Sequence, residues 1–221
     1  MRVEVVAGLV VIAVLAVGVG YMYLGGGGSA SSTVASTVEE PSGAGRGMGG
    51  AGVGGEAAGA CNGLSNLTVG QSIRWLLDNH GLFTYRYMEF PENYTIVWVI
   101  NAPNKAAAEI LAGHIRQMEC VIENGGTPRK HDPLFVVDAA VSREYVETRI
   151  SWVNDTAIRV VKVAENECAF QVIKLHAEVV RGFFETGRVE AAKTHEIPDY
   201  VLETCKPILE ELGVNLTTQS P

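Results

Sequence analysis

The chain has 221 residues, with 25 acidic against 17 basic side chains and a formal net charge of -8. That length holds one domain of ordinary size once tails are subtracted. The acidic balance excludes a basic surface able to track nucleic-acid phosphates, so no nucleic-acid partner is expected.

Residues 3–24 read VEVVAGLVVIAVLAVGVGYMYL. At about 1.5 Å of rise per residue, about 20 apolar residues cross a hydrocarbon core about 30 Å thick. The stretch predicts a transmembrane anchor over residues 1–24, with Glu4 at one end and the interfacial rings of Tyr21 and Tyr23 at the other. A cleaved signal peptide is the alternative, with Gly28-Ser29-Ala30 as the small-residue site, but its apolar region is ordinarily only about 7–15 residues long. Either outcome sends the rest of the chain outward, to the extracytoplasmic side of the cell membrane.

Residues 25–60 are rich in Gly, Ser and Ala and bury too little surface to order themselves, which predicts a flexible tether. Its reach is about 30–36 Å. A folded domain is expected over 61–215, with 216–221 as a tail.

The first helix is predicted over 69–79, capped by Thr68 and stopped by Gly81. Strands follow at 84–90 and 95–102, joined by the turn-forming Pro91-Glu92-Asn93-Tyr94. A helix from Asn104 to about Asn124 places Ala107, Leu111, His114, Met118 and Val121 on one stripe, and Gly125-Gly126 ends it. Asp132-Pro133 predicts a cap and first turn for a short helix through Val141. The C-terminal PDYVLETCKPILEELG predicts a last helix, kinked or split at Pro207.

Residues 96–125 align without a gap on 158–187, with Asn104 over Asn166, Ala107 over Ala169, His114 over His176 and Gly125 over Gly187. A strand-strand-helix unit used twice predicts an α+β two-layer sandwich: four antiparallel strands with helices on one face. The segments HIRQM, HDPLF and LHAEVVRGFFETG resemble a group of exported bacterial and archaeal proteins with the same duplicated layout, over roughly residues 84–190. That resemblance implies domain boundaries and no particular activity.

Four sequons, Asn66-Leu-Thr, Asn93-Tyr-Thr, Asn154-Asp-Thr and Asn215-Leu-Thr, offer N-glycosylation acceptors in an exported glycoprotein. The four cysteines suit an oxidising compartment and allow three pairings. In a symmetric antiparallel helix pair Cys120 and Cys168 can face each other, which predicts bridges Cys120–Cys168 and Cys61–Cys205. Two small buried thiols are the alternative to the first.

His114 and His176 share one phase of the apolar stripe on their helices. Neutral core histidines satisfied by a carbonyl or water are the simpler reading. The sharper one is a ligand pair, able to hold haem b axially or a copper-type transition metal, with Met118 as a soft ligand that has only Val180 as its counterpart. Met118 otherwise serves as packing. His131-Asp132 reads as a loop residue and a helix cap, and Glu119, Glu123, Arg116 and Lys105 read as the solvated face of their helix.

No GxSxG, HExxH, P-loop or helix-opening GxGxxG occurs, so no catalytic residue is assigned and an enzyme is not expected. The expectation is a membrane-anchored extracytoplasmic binding domain holding haem or a metal at His114 and His176. Its rival is a protein-protein interaction or cell-envelope scaffold module without a cofactor, partnered by an envelope protein or by further copies of itself.

Overall fold

The computed structural model describes residues 55–214; the predicted anchor, the tether up to residue 54 and Asn215 lie outside them. No helix among the described residues is long and apolar enough to cross a membrane. The chain runs through helices α1 (Gly55–Cys61) and α2 (Val69–Asp78), strands β1 (Thr84–Phe90) and β2 (Thr95–Asn101), and helices α3 (Lys105–Glu123) and α4 (Pro133–Tyr145). It continues through β3 (Val146–Asn154), β4 (Ala157–Ala164), α5 (Glu167–Thr186), α6 (Arg188–Ala191) and α7 (Asp199–Glu211).

Helix starts follow the capping residues. Thr68 accepts from the Gln71 amide while the Gln71 side chain accepts from the Thr68 amide, a complete capping box. Asn104 and Asn166 each accept from the amide three residues on, at Ala107 and Ala169. Asp132 stands at the N-cap position of α4, but its side chain makes no cap bond. Helix α7 runs through Pro207 without a break, so the expected split is absent. Helix α1 takes the last residues assigned to the tether: Ala57 and Ala58 pack on the cluster of Cys61, Val69 and Val121. A helix this short is marginal alone and owes its order to that packing.

The four strands form one antiparallel sheet in the order β1-β2-β4-β3. Alternation along the strands sorts side chains between two faces. One face carries Ile96, Trp98 and Ile100 of β2 with Ile158 and Val160 of β4, and these join Ala107, Leu111, Phe135, Val172 and Ile173 of the helices in the main core. Tyr85 and Tyr87 of β1 pack there too, against Trp98 at ring separations of 5.5 and 4.8 Å.

The opposite face carries Arg86 and Met88 of β1, Val97 and Val99 of β2, Arg159, Val161 and Val163 of β4, and Glu147 and Arg149 of β3, set side by side by the register. None of its apolar residues belongs to the helix-packed core, although Val97 is only 3% exposed between Met88 and Val161.

Both disulfides tie a flanking helix to a long one. Cys61 of α1 bonds Cys120 of α3, and Cys168 of α5 bonds Cys205 of α7. The predicted pairs, Cys120–Cys168 and Cys61–Cys205, are therefore corrected: each long helix meets its own flanking helix before its cysteine can reach the other's. Gly187 ends α5 at φ 55°, where a Cβ would strike His80 and the Leu77 carbonyl, so the turn requires glycine. His80 Nδ1 bonds the Phe184 carbonyl at 2.9 Å, closing that end of α5.

Candidate functional site: two aspartate-histidine pairs along helix α4

Asp132, Phe135, Asp138 and Ser142 recur at three- and four-residue steps and share one side of α4, all buried. At the N-terminal end Asp132, 0% exposed, receives His195 Nδ1 at 2.7 Å, the His195 amide at 3.3 Å and Arg129 Nε at 3.3 Å. The far side of the His195 ring meets Glu190 Oε1 at 3.1 Å. Arg129 also donates to the carbonyls of Ala191 and Lys193, so one guanidinium staples the α6–α7 connection to the start of α4. This explains why Asp132 does not cap: its carboxylate is already taken by the Arg129 guanidinium, which binds it more strongly than a neutral amide would, and by His195. Lys193 and His195 hold the Glu190 carboxyl below its usual range against a smaller opposing effect of burial.

One and a half turns on, Asp138 receives Ser142 Oγ at 3.0 Å and lies 2.8 Å from His176 Nδ1. Despite that short distance, Nδ1 has no well-formed hydrogen bond. Lys162 enters the same space from β4 and bonds Glu119 of α3 at 3.1 Å. Burial works to raise the Asp138 carboxyl, but His176, Lys162 and Ser142 more than offset it and hold it below the ordinary value. Burial likewise works to lower the Lys162 ammonium, and Glu119 and Asp138 overcome it and raise it. The charges at Lys162 and Asp138 therefore persist inside the fold because each has a partner. Glu119 is thus a member of the interior network, and the expectation of a solvated position is corrected. Phe135 separates the two networks, its ring 5.3 Å from that of His176 and 6.2 Å from that of His195.

His114 stands elsewhere. Its Nδ1 lies 3.2 Å from Ser72 Oγ of α2, a hydroxyl also within 2.8 Å of Gln117 Oε1 and 2.9 Å of the Val69 carbonyl, while Gln117 Nε2 donates to the Leu67 carbonyl at 2.7 Å. Burial without a charged partner pushes the ring down to about 4. His114 and His176 share no hydrogen-bonding partner, so one faces α2 and the other α4. Met118 packs with Cys61, Val69 and Val121 around the first disulfide. No group of three or more His, Cys, Asp or Glu side chains among the described residues is placed to hold a metal ion.

Of the sequons, Asn66, Asn93 and Asn154 are exposed, and Asn154 Oδ1 accepts from both the amide and the hydroxyl of Thr156. A shallow cleft of about 270 Å³ between Gly125-Gly126, α4 and Gly213-Val214 contains none of the histidines.

No family model, no curated protein and no solved structure matches the chain. Its chemistry is accordingly argued from its own residues. Ser142 donates to Asp138 at 3.0 Å. The arrangement can order helices and hold charge. Sequence reading passed over Asp138 and Lys162 because each interrupts an apolar run, VVDAAV and VVKVA. Strand parity was the available signal: Lys162 alternates with Ile158 and Val160, which face the helices.

Proposed function

We propose that the chain is a membrane-anchored extracytoplasmic interaction module, tethered through residues 3–24 and binding a partner with the face of the sheet that the helices leave open. The observation that carries this reading is that face itself: Met88, Val97, Val99, Val161 and Val163 form an apolar strip outside the helix-packed core, with Phe90 37% exposed at its end. A contiguous apolar patch of that kind ordinarily marks an interaction site. Two disulfides and three exposed sequon asparagines support the extracytoplasmic placement. The matching asparagine caps of α3 and α5, at equivalent points of the 62-residue offset, support descent of the two halves from one duplicated unit.

The test is the size of the native assembly. Full-length protein solubilised in mild detergent should migrate as a complex larger than its monomer, and Met88→Glu/Val99→Glu should release the monomer without changing its melting temperature. A wild-type chain that migrates alone, or a complex indifferent to the double substitution, contradicts the reading.

A second reading, a cofactor held by His114, is favoured by its ring, which burial keeps neutral near pH 7, the form in which imidazole ligates metal or haem. It rests on His114 alone, since His176 faces Asp138 and Met118 packs on the disulfide. Metal and haem analysis of the full-length protein decides it: stoichiometric metal or a Soret band that disappears in His114→Ala supports the cofactor, and a colourless, metal-free protein removes it.

A further inference from the structure

We infer that the open sheet face recognises an extended acidic segment of a protein partner, with carboxylates spaced about an apolar side chain; this rests on the interaction-module reading above. Val99 is paired across the strands with Arg86 on one side and Arg159 on the other. At about 4.8 Å between neighbouring strands, the two arginines stand about 10 Å apart with the valine between them. Both are exposed, and neither forms an ion pair or side-chain hydrogen bond among the described residues. The nearest acid on this face, Glu147, is committed to Arg149 at 2.6 Å. In a chain of formal charge -8 this face therefore carries a local positive surplus next to an apolar strip.

Exposed guanidinium groups favour carboxylates over neutral acceptors, through charge and bidentate geometry. The apolar row Met88, Val97 and Val161 beside them asks for aliphatic side chains in the same ligand. Area selects the kind of partner. Four strands of about seven residues span about 19 by 24 Å, or about 450 Å². A stable folded interface needs about 800 Å² from each partner. The face is thus too small for a second copy of this domain and matches a strand-like segment whose successive acidic and apolar residues lie along it. The glycosylation acceptors leave it clear: Asn93 and Asn154 lie at the turns at opposite ends of the sheet, and Asn66 lies between α1 and α2.

The test uses the full-length chain in nanodiscs of zwitterionic lipid. The probe is a synthetic peptide of alternating glutamate and valine pairs, with a lysine-for-glutamate peptide and phosphatidylglycerol vesicles as comparisons. The expected result is saturable binding of the glutamate peptide, weakened about tenfold by Arg86→Ala/Arg159→Ala and lost at high salt, with the melting temperature unchanged and the lysine peptide inert. Equal binding of both peptides, binding insensitive to the double substitution, or binding to the anionic vesicles alone overturns the inference. If Met88→Glu/Val99→Glu still dissolves the native complex while the glutamate peptide fails to bind, the partner chemistry is wrong and the module stands; if neither holds, the module reading fails as well.

Discussion

The two faces of the sheet put charge to opposite uses. Under the helices, Lys162 bonds Glu119 and lies near Asp138, so its charge has partners. On the open face, Arg86 and Arg159 flank Val99 with none among the described residues. A buried charge must be compensated within the fold, because desolvation otherwise costs several kcal/mol, whereas an exposed arginine can wait for a ligand. The same residue classes thus serve stability on one side and, in the proposed reading, recognition on the other.

That contrast can be broken most forcefully from the covered side. Asp138→Ala strips Lys162 and His176 of a carboxylate and frees Ser142, and it should destabilise the fold by about 3–5 kcal/mol in denaturant titration. Asp138→Asn keeps the volume and one acceptor and should cost less. A loss below about 1 kcal/mol for the alanine variant would mean the network is already open to solvent.

Next in size come the disulfides. Removing Cys61–Cys120 or Cys168–Cys205 as a serine pair should each cost about 2–4 kcal/mol, and mass mapping of the unreduced protein should recover these two pairs and no others. The first anchors α1 to α3, so its loss should expose residues 55–61 to proteolysis before the rest of the domain.

His114 sets a smaller, pH-dependent effect. Its folded value, about 4, lies below the unfolded value of about 6.5, so the folded state resists a proton that the unfolded chain accepts. Stability is therefore complete above about pH 6.5 and falls by up to about 3 kcal/mol as pH drops towards 4. His114→Gln should flatten that window in melts at fixed ionic strength. Below it, Asp138 and Glu190, whose carboxyls are held low, lose their own contribution as they protonate, and that lower limb should persist in the variant. An unchanged slope between pH 6.5 and 4 would place the sensitivity elsewhere.

The smallest expected effect is on the open face. Arg86→Ala and Arg159→Ala should each shift stability by less than about 0.5 kcal/mol, since neither side chain touches the core. A large loss there would mean that the arginines support the sheet itself.

How legible this was depended on the range of the physics. Strands 84–90 and 95–102 and the caps Thr68, Asn104 and Asn166 were readable because alternation and capping act within a few residues. The disulfide pairing was not, because α1 and α7 are positioned by packing on α3 and α5, and helical phase within the long helices says nothing about flanking ones. Asp132 resembled a cap in sequence, but Arg129 and the return of the chain at His195, 63 residues later, claim its carboxylate. The shared phase of His114 and His176 was real, but α2 and α4 supply them with different neighbours, a serine-glutamine pair for one and an aspartate for the other.

Site-specific photocrosslinking on intact cells addresses the open face directly. A crosslinker replacing Val99 should capture a partner bearing an acidic segment, while one replacing Glu109, on the exposed side of α3, should capture none. Capture from Glu109 with silence at Val99 would contradict the account, moving recognition to the helices and leaving the two arginines without a role.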